Sequence, residues 1–214
     1  MATTINPYKT FGREDIFIGE KVNTAQFLPS NSEEEYIESG KETVEMILQL
    51  YRKKTKKKLK NVMEVGSGDG RLAMHMANKC ESIVCLDINP FVLEAIQRRL
   101  EGIGIINAKY SLSTEFDAEN ELDLIYSLQV LQHNNPEGRL EILNMIKKAL
   151  KPNAYAIIHF PKLENKPDYD MTCPTCQCFT REEVEEYGRL FTSFEIEEFN
   201  LNPEDVDYYL IVKK

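Results

Sequence analysis

Apolar and polar residues follow one another along most of the chain in a pattern that predicts alternating helices and strands. From Ser39 to Lys54, apolar residues recur at helical spacing, which predicts an amphipathic helix. The short apolar run in NVMEV predicts a buried strand, and RLAMHMANK predicts the helix after it. SIVCLD and PFVLEAIQRRL then repeat this order as a second strand and a second helix.

The alternation continues through the second half of the chain. It predicts a third strand around Gly104 to Asn107, a fourth at Leu122–Ser127, a helix from Pro136 to about Leu150 and a fifth strand at Ala154–Phe160. Asn89 and Asn135 each precede a proline at a first helical position, and Thr180 with Glu183 predicts a capping box.

The C-terminal segment FTSFEIEEFNLNPEDVDYYLIVKK predicts two strands joined by a turn around 202–204. An antiparallel hairpin of this kind would close one side of the sheet. Parallel strands need crossover helices, so the whole order predicts the α/β class, with a mostly parallel sheet covered on both faces.

Length and charge narrow the possible functions. The 214 residues fit a single domain, which we place at residues 39–214, with residues 1–38 as an N-terminal cover segment. The chain has 26 Lys and Arg against 35 Asp and Glu, a net charge of −9, which argues against a nucleic-acid partner. RKKTKKKLK at 52–60 is interpreted as solvated cations near a helix C-terminus, with an anionic-partner site as the alternative.

Membrane segments and sulfur chemistry are not expected. No stretch approaches the roughly 20 apolar residues that span a bilayer, and MATTINPYKTFGRED lacks an apolar signal region, so we expect a cytoplasmic protein. The five cysteines fit reduced thiols. CPTCQC (Cys173, Cys176, Cys178) has zinc and redox spacing, but a closed zinc site needs four ligands, so we predict no metal and interpret these as loop thiols.

The segment from Glu64 to Gly70, EVGSGDG, lies between the first strand and its helix. Alternate glycines let a backbone turn sharply and approach a ligand, and the helix start offers free N–H groups. Asp87 ends the second strand, the position of the carboxylate that binds ribose hydroxyls in dinucleotide folds. The two features together predict a nucleotide-like ligand.

The glycine spacing separates two kinds of ligand. A pyrophosphate is bound by G-x-G-x-x-G, whereas this loop is G-x-G-x-G with Glu64 before it and Asp69 within it. Two carboxylates favour a ligand that carries positive charge. A nucleotide-binding oxidoreductase is therefore the disfavoured alternative.

With these motifs the chain resembles the class I S-adenosylmethionine-dependent methyltransferases from about Gly40 to its C-terminus. VMEVGSGDGRLA resembles the family's first motif, LDLIYSLQVLQH its fourth-strand motif, and LKPNAYAIIHFP its fifth-strand segment, where Asn153 stands in place of the usual glycine. The resemblance implies a Rossmann-like three-layer sandwich, with a mostly parallel seven-stranded sheet and a C-terminal antiparallel hairpin.

The resemblance also implies the cofactor, S-adenosyl-L-methionine, and its product, S-adenosyl-L-homocysteine. The residues that it assigns to cofactor binding are Glu64, Gly66, Ser67, Gly68, Gly70, Asp87, Ile88, Ser111, Leu112, Ser127 and Leu128. Ser111 and Leu112 stand where the family usually has an acidic residue near adenine. Ser127-Leu128-Gln129-Val130 differs from the Asn/Asp-Pro-Pro-Tyr signature of many enzymes that act on nucleobase or glutamine nitrogens, which disfavours those substrates. The long N-terminal segment and VGSGDGRLA followed by SLQVLQH resemble the branch of the family that modifies small metabolites, sugars or natural products.

We therefore predict transfer of a methyl group to an oxygen or nitrogen of a metabolite, sugar or natural product. His133 and His159 follow or end strands on the ligand side and are the candidate general bases. Tyr8, Phe11 and Tyr36 are candidates for an aromatic wall over the acceptor. A catalytically inactive cofactor-binding regulatory subunit and a protein or peptide methyltransferase are the alternatives.

Overall fold

The computed structural model describes residues 33–163, 177–202 and 205–214, together with residues 17–18 and 21–22. Strands β1 (Phe17–Ile18) and β2 (Lys21–Val22) form a small antiparallel pair. The main sheet contains β3 (Asn61–Val65), β4 (Ser82–Asp87), β5 (Ala108–Leu112), β6 (Leu122–Ser127), β7 (Leu150–Phe160), β8 (Ser193–Asn202) and β9 (Asp205–Lys213). The helices are α1 (Glu33–Lys54), α2 (Ala73–Met76), α3 (Pro90–Gly102), α4 (Pro136–Ala149) and α5 (Arg181–Gly188).

The main sheet has seven strands in the order β5-β4-β3-β6-β7-β9-β8. The first five strands are parallel, and β9 enters antiparallel between β7 and β8. Side chains of alternate residues pack on opposite faces: Val62 lies in the core with α1, α2 and α3, and Met63 lies in the core with α4 and α5. The predicted fold class is therefore confirmed.

Local side-chain chemistry starts three of the helices as predicted. The Asn89 side chain accepts a hydrogen bond from the Phe91 N–H at the start of α3, and Asn135 accepts one from the Gly138 N–H at the start of α4. Thr180 and Glu183 form the reciprocal capping box of α5. Asn153 has a φ of 63°, the left-handed conformation that its replacement of a glycine predicted.

Three boundaries differ from the prediction. The third strand is Ala108–Leu112 and not 104–107, because residues 104 and 105 complete the end of α3. Gly104, with a φ of 82°, donates its N–H to Glu101 O, and the Ile105 N–H donates to Leu100 O. The second helix is short, and residues 77–79 continue it as a 3₁₀ turn. Helix α1 begins at Glu33 and not at about Ser39.

The basic tract begins on the last turn of α1, beside the acidic edge strand β8. Lys54 forms ion pairs with Glu195 and Glu197, and Lys53 lies 3.5 Å from Glu197. Part of this positive charge is thus paired within the domain. Among the described residues, no helix combines the length and the apolarity needed to cross a membrane.

Candidate functional site

The glycine loop leaves the carboxyl end of β3 and is anchored to the neighbouring strand. Gly66 and Ser67 both donate their backbone N–H to Leu86 O, at 2.8 Å and 3.1 Å. Gly66, Gly68 and Gly70 have φ angles of 75°, 53° and 80°, a region that strains other residues. A β-carbon on Gly68 would meet no atom within 4 Å, so this side of the loop is open.

Asp87 connects the end of β4 to the glycine loop. Its carboxylate accepts hydrogen bonds from the Gly68 N–H at 3.2 Å and from the Asn89 N–H at 3.0 Å. The structure thus brings the loop and the second-strand acid together as the sequence predicted.

Glu64 lies on β3 directly before the loop and is buried. Burial raises the pKa of its carboxyl well above the ordinary range, and the neighbouring Tyr126 hydroxyl and Arg71 guanidinium oppose this shift only in part. Glu64 Oε2 and the Tyr126 hydroxyl are nonetheless buried without a hydrogen bond that meets ordinary geometry. An orphaned acidic oxygen of this kind fits a partner that carries positive charge or donates hydrogen bonds.

The second loop carboxylate, Asp69, is neutralised within the protein. Arg99 on α3 lies 3.1 Å from Asp69 Oδ2, and the Arg71 N–H donates to Asp69 Oδ1 at 3.1 Å. The expectation that Glu64 and Asp69 both attract a cationic ligand is therefore corrected. Of these two carboxylates, Glu64 is the one with a buried oxygen that has no hydrogen-bond partner among the described residues.

Helix α1 packs directly against the glycine loop. The Arg71 guanidinium stacks over the Tyr36 ring at 5.0 Å and donates to Ser39 Oγ at 3.0 Å. A β-carbon on Gly40 would lie 2.7 Å from Arg71 Cγ, so the glycine allows this close approach. Burial and Asp69 raise the pKa of Tyr36 to about 12, so its hydroxyl stays protonated. Tyr8 and Phe11 lie outside the described residues.

The other predicted cofactor residues lie at the same edge of the sheet. Ser111 and Leu112 pair with Leu86 and Asp87, and apolar Ile88 is 42% exposed beside them. Ser67 donates to Glu64 O and Ser127 donates to Val65 O, both at 3.3 Å and both buried, whereas Leu128 packs partly against the core. The hydroxyls of Ser67 and Ser127 thus stabilise the backbone at the carboxyl end of β3.

The two candidate bases occupy different environments. His133 is half-buried at the end of a 3₁₀ turn, Leu131–His133, which follows β6. His159 is fully buried, and both ring nitrogens are engaged: Nε2 with Asp207 Oδ2 at 2.9 Å and Nδ1 with the Gln129 N–H at 3.4 Å. This environment does not support the expectation that His159 takes a proton from a substrate.

Several residues of the site carried no recognisable sequence pattern. Val130 touches Gly66, and Arg99 reaches Asp69 from another helix. Asp207 comes from the C-terminal hairpin. Only Arg71, which directly follows the glycine loop, was identifiable by its place in the motif.

The described part of the chain contains no group of three His, Cys, Asp or Glu residues arranged to hold a metal ion. Of the CPTCQC cysteines, Cys173 and Cys176 lie outside the described residues, and Cys178 is a half-buried thiol. The interpretation of this loop stays a prediction.

Part of the chain matches a known family model. Residues 63–156, which run from within β3 to within β7, match the model described as a methyltransferase domain. No curated protein sequence matches the chain.

Solved structures share its fold. The N-methyltransferase NodS from Bradyrhizobium japonicum WM9, in complex with S-adenosyl-L-homocysteine, is 15% identical, with a TM-score of 0.69 over 98% of this chain and 99% of that one. The PH0226 protein from Pyrococcus horikoshii OT3 is 18% identical, with a TM-score of 0.68 over 86% and 92%. A candidate O-methyltransferase from Nostoc punctiforme PCC 73102 is 18% identical, with a TM-score of 0.63; the match covers 84% of this chain and 60% of that one.

Proposed function

We propose that this chain, which belongs to the class I S-adenosylmethionine-dependent methyltransferase superfamily, methylates an oxygen or nitrogen of a small molecule. S-adenosyl-L-methionine is the cofactor and S-adenosyl-L-homocysteine the product. The acceptor class and the roles of individual residues are the parts that we propose.

One observation carries the assignment of the cofactor site: the Asp87 carboxylate accepts the Gly68 N–H, 3.2 Å away, at the carboxyl ends of β3 and β4. The residues fit the cofactor in three respects. Asp87 ends β4 at the place of the carboxylate that binds ribose hydroxyls in dinucleotide folds, Gly68 borders open space, and the orphaned Glu64 oxygen suits the cationic methionine end.

The chain's residues mainly bind the cofactor and the acceptor, orient them, and exclude water. The cofactor, when bound, would supply a sulfonium methyl group that is already electrophilic and whose carbon–sulfur bond would break as the acceptor's oxygen or nitrogen bonds to the methyl carbon. The task of the chain's residues would then be to hold the acceptor in line with that methyl group. We assign His133 the role of taking the proton that an alcohol or ammonium acceptor must lose.

The acceptor class rests on two supports. The segment Ser127-Leu128-Gln129-Val130 lacks the Asn/Asp-Pro-Pro-Tyr motif of enzymes that act on nucleobase or glutamine nitrogens. NodS is named an N-methyltransferase, and the Nostoc protein a candidate O-methyltransferase. Both oxygen and nitrogen acceptors are consistent with these names.

Titration calorimetry with S-adenosylmethionine and S-adenosylhomocysteine tests the site. Asp87→Asn should weaken binding by about 10- to 100-fold, because one charged acceptor is lost. Asp123→Asn is the matched control: Asp123 also accepts a backbone N–H, from Asn61 at 2.9 Å, but near the amino ends of β3 and β6. Absence of binding by the native protein, or equal effects of the two variants, would refute the proposal.

The acceptor is tested with a metabolite extract and isotopically labelled cofactor, followed by mass spectrometry. A labelled small molecule is expected, and His133→Asn should slow its formation by about 100-fold or more without weakening cofactor binding. Tight cofactor binding with no labelled product from metabolites or proteins would favour the inactive regulatory subunit instead.

A further inference from the structure

We propose that His159 is a positioning residue that holds the segment after β6, residues 129–133, in place through the backbone of Gln129. The inference rests on the proposed function, because that segment ends at the candidate base His133. Asp207, on the C-terminal hairpin, fixes the orientation of the imidazole ring.

The hydrogen bonds determine which nitrogen of His159 carries the proton. The Gln129 N–H can only donate, so Nδ1, 3.4 Å away, must be the unprotonated acceptor. Nε2 then carries the proton and donates it to Asp207 Oδ2 at 2.9 Å. His159 is 0% exposed, so both nitrogens are committed to the fold and neither faces a substrate.

The backbone at Gln129 has an unfavourable conformation that the hydrogen bond to His159 stabilises. Its φ of 60° lies in the left-handed region, which is unfavourable for a residue with a β-carbon. The hydrogen bond from its N–H to His159 stabilises this turn immediately after β6. The Gln132 side chain also donates to Gln129 Oε1, so Gln129 is held by His159 on one side and bonded to the following turn on the other.

The position of Gln129 affects both halves of the site. The next residue, Val130, contacts Gly66 of the glycine loop, and the 3₁₀ turn that starts directly after Val130 ends at His133. A displaced Gln129 therefore changes the alignment of the base with the cofactor, and in-line transfer is sensitive to displacements of about 1 Å.

Asp207, on β9, also bonds to the segment that follows β7. Its Oδ1 accepts the Lys162 N–H at 3.0 Å, just after β7, while Oδ2 accepts from His159. The imidazole also packs against Tyr209 of β9, with ring centroids 5.3 Å apart. The hairpin thereby fixes the orientation of the imidazole ring, as a carboxylate does when it hydrogen-bonds to the second ring nitrogen of a functional histidine.

Two substitutions of His159 test its two hydrogen bonds one at a time, because each variant keeps one of them and removes the other. The amide of His159→Asn reaches the place of Nδ1 and can still accept the Gln129 N–H. The amide of His159→Gln reaches the place of Nε2 and keeps only the link to Asp207. Backbone amide exchange of Gln129 in ¹⁵N-labelled protein is the direct measurement.

We expect His159→Gln to lose protection of the Gln129 amide and up to about 100-fold in kcat, and to keep cofactor affinity within about 3-fold. His159→Asn should retain most of both properties. Equal loss in the two variants, or an unchanged Gln129 amide in His159→Gln, would overturn the inference.

The native protein supplies a test that needs neither variant. Imidazole ¹⁵N spectra should show His159 protonated at Nε2 and hydrogen-bonded as an acceptor at Nδ1, and a proton on Nδ1 would refute the role. These spectra require no acceptor or activity, so they separate failure of this inference from failure of the proposed function, which cofactor calorimetry reports.

Discussion

A β-carbon on Gly66 would lie 2.2 Å from Cγ2 of Val130, so the glycine loop and the segment after β6 touch at a point that only glycine allows. The contact joins the glycine loop to the segment that ends at His133. Any side chain at position 66 must push these two elements apart.

We therefore expect Gly66→Ala to lower the free energy of unfolding by about 2 to 4 kcal/mol, from left-handed strain plus overpacking. Gly104→Ala is the control for strain alone, because Gly104 has a φ of 82° and its β-carbon would meet nothing within 4 Å. That control should lose about 1 to 2 kcal/mol. Urea unfolding measures both variants.

A double variant identifies the contact. Val130→Ala makes room beside position 66, so combining it with Gly66→Ala should recover about 1 kcal/mol or more relative to the sum of the single losses. Strict additivity of the two losses would show that the contact with Val130 is not responsible.

Glu64 is expected to make stability depend on pH. Burial raises its pKa in the folded protein above the ordinary value of 4.5, so the unfolded chain ionises first as the pH rises. The contribution of Glu64 to stability is present below that value and is lost progressively above it. Glu64→Gln should therefore gain stability relative to the native protein as the pH increases from about 4.5 upwards. Exposed Glu141→Gln should show no such trend.

Cofactor binding should release a proton for the same reason. A cationic ligand favours the ionised form of Glu64, so up to about one proton leaves on binding, and the affinity rises with pH. Calorimetry in buffers of different ionisation enthalpy measures this release, and Glu64→Gln should abolish it. Release that persists in the variant would assign the proton to another group.

Gly40 is expected to resist substitution although it lies inside a helix. Alanine at this site should gain about 1 kcal/mol of helix propensity. Its β-carbon, however, would lie 2.7 Å from Arg71 Cγ and 2.9 Å from Arg71 O, so α1 must move away from the glycine loop. We expect Gly40→Ala to lower both the melting temperature and the cofactor affinity.

Gly102→Ala is the matched control in α3, since a β-carbon there meets nothing within 4 Å. It should leave cofactor affinity unchanged and raise stability by up to about 1 kcal/mol. If Gly40→Ala leaves cofactor affinity unchanged and raises stability, as this control should, the close contact of Gly40 with Arg71 does not affect the glycine loop.

Arg139 is buried at the start of α4 and joins the segments after β6 and β7. It donates to Asn134 O and to the Tyr187 hydroxyl, each at 2.9 Å, and to Gln177, and its guanidinium stacks over Phe179 at 4.9 Å. Arg139→Met preserves apolar volume but leaves these acceptors unpaired. We expect a loss of about 2 to 4 kcal/mol in urea unfolding.

Hydrogen exchange shows where Arg139 acts. Amides near Gln177 should lose protection in Arg139→Met, and Arg139→Lys should restore it only partly because lysine cannot form several planar hydrogen bonds at once. A methionine variant as stable as the native protein would contradict this role.

Local patterns predicted much of the fold. The helix caps at Asn89, Asn135 and Thr180 depend on residues within three positions of one another, so sequence spacing was sufficient. The glycine loop and Asp87 were predictable together because parallel strands bring their carboxyl ends to one edge. The third strand was misplaced because the turn at Gly104, which completes α3, occupies the apolar residues that resembled a strand.

The sequence alone determined the α/β order, the glycine loop, Asp87 and the resemblance to methyltransferases, because each depends on periodicity or on neighbours along the chain. Tertiary structure decided that Arg99 neutralises Asp69, that Gly40 touches Arg71, and that His159 is held by Asp207. These partners are far apart in sequence, and only the order of the strands and the antiparallel register of β9 beside β7 bring His159 and Asp207 into contact. The strand position of His159 predicted a base. In the folded protein both of its ring nitrogens form hydrogen bonds, and it therefore supports the site by positioning other residues.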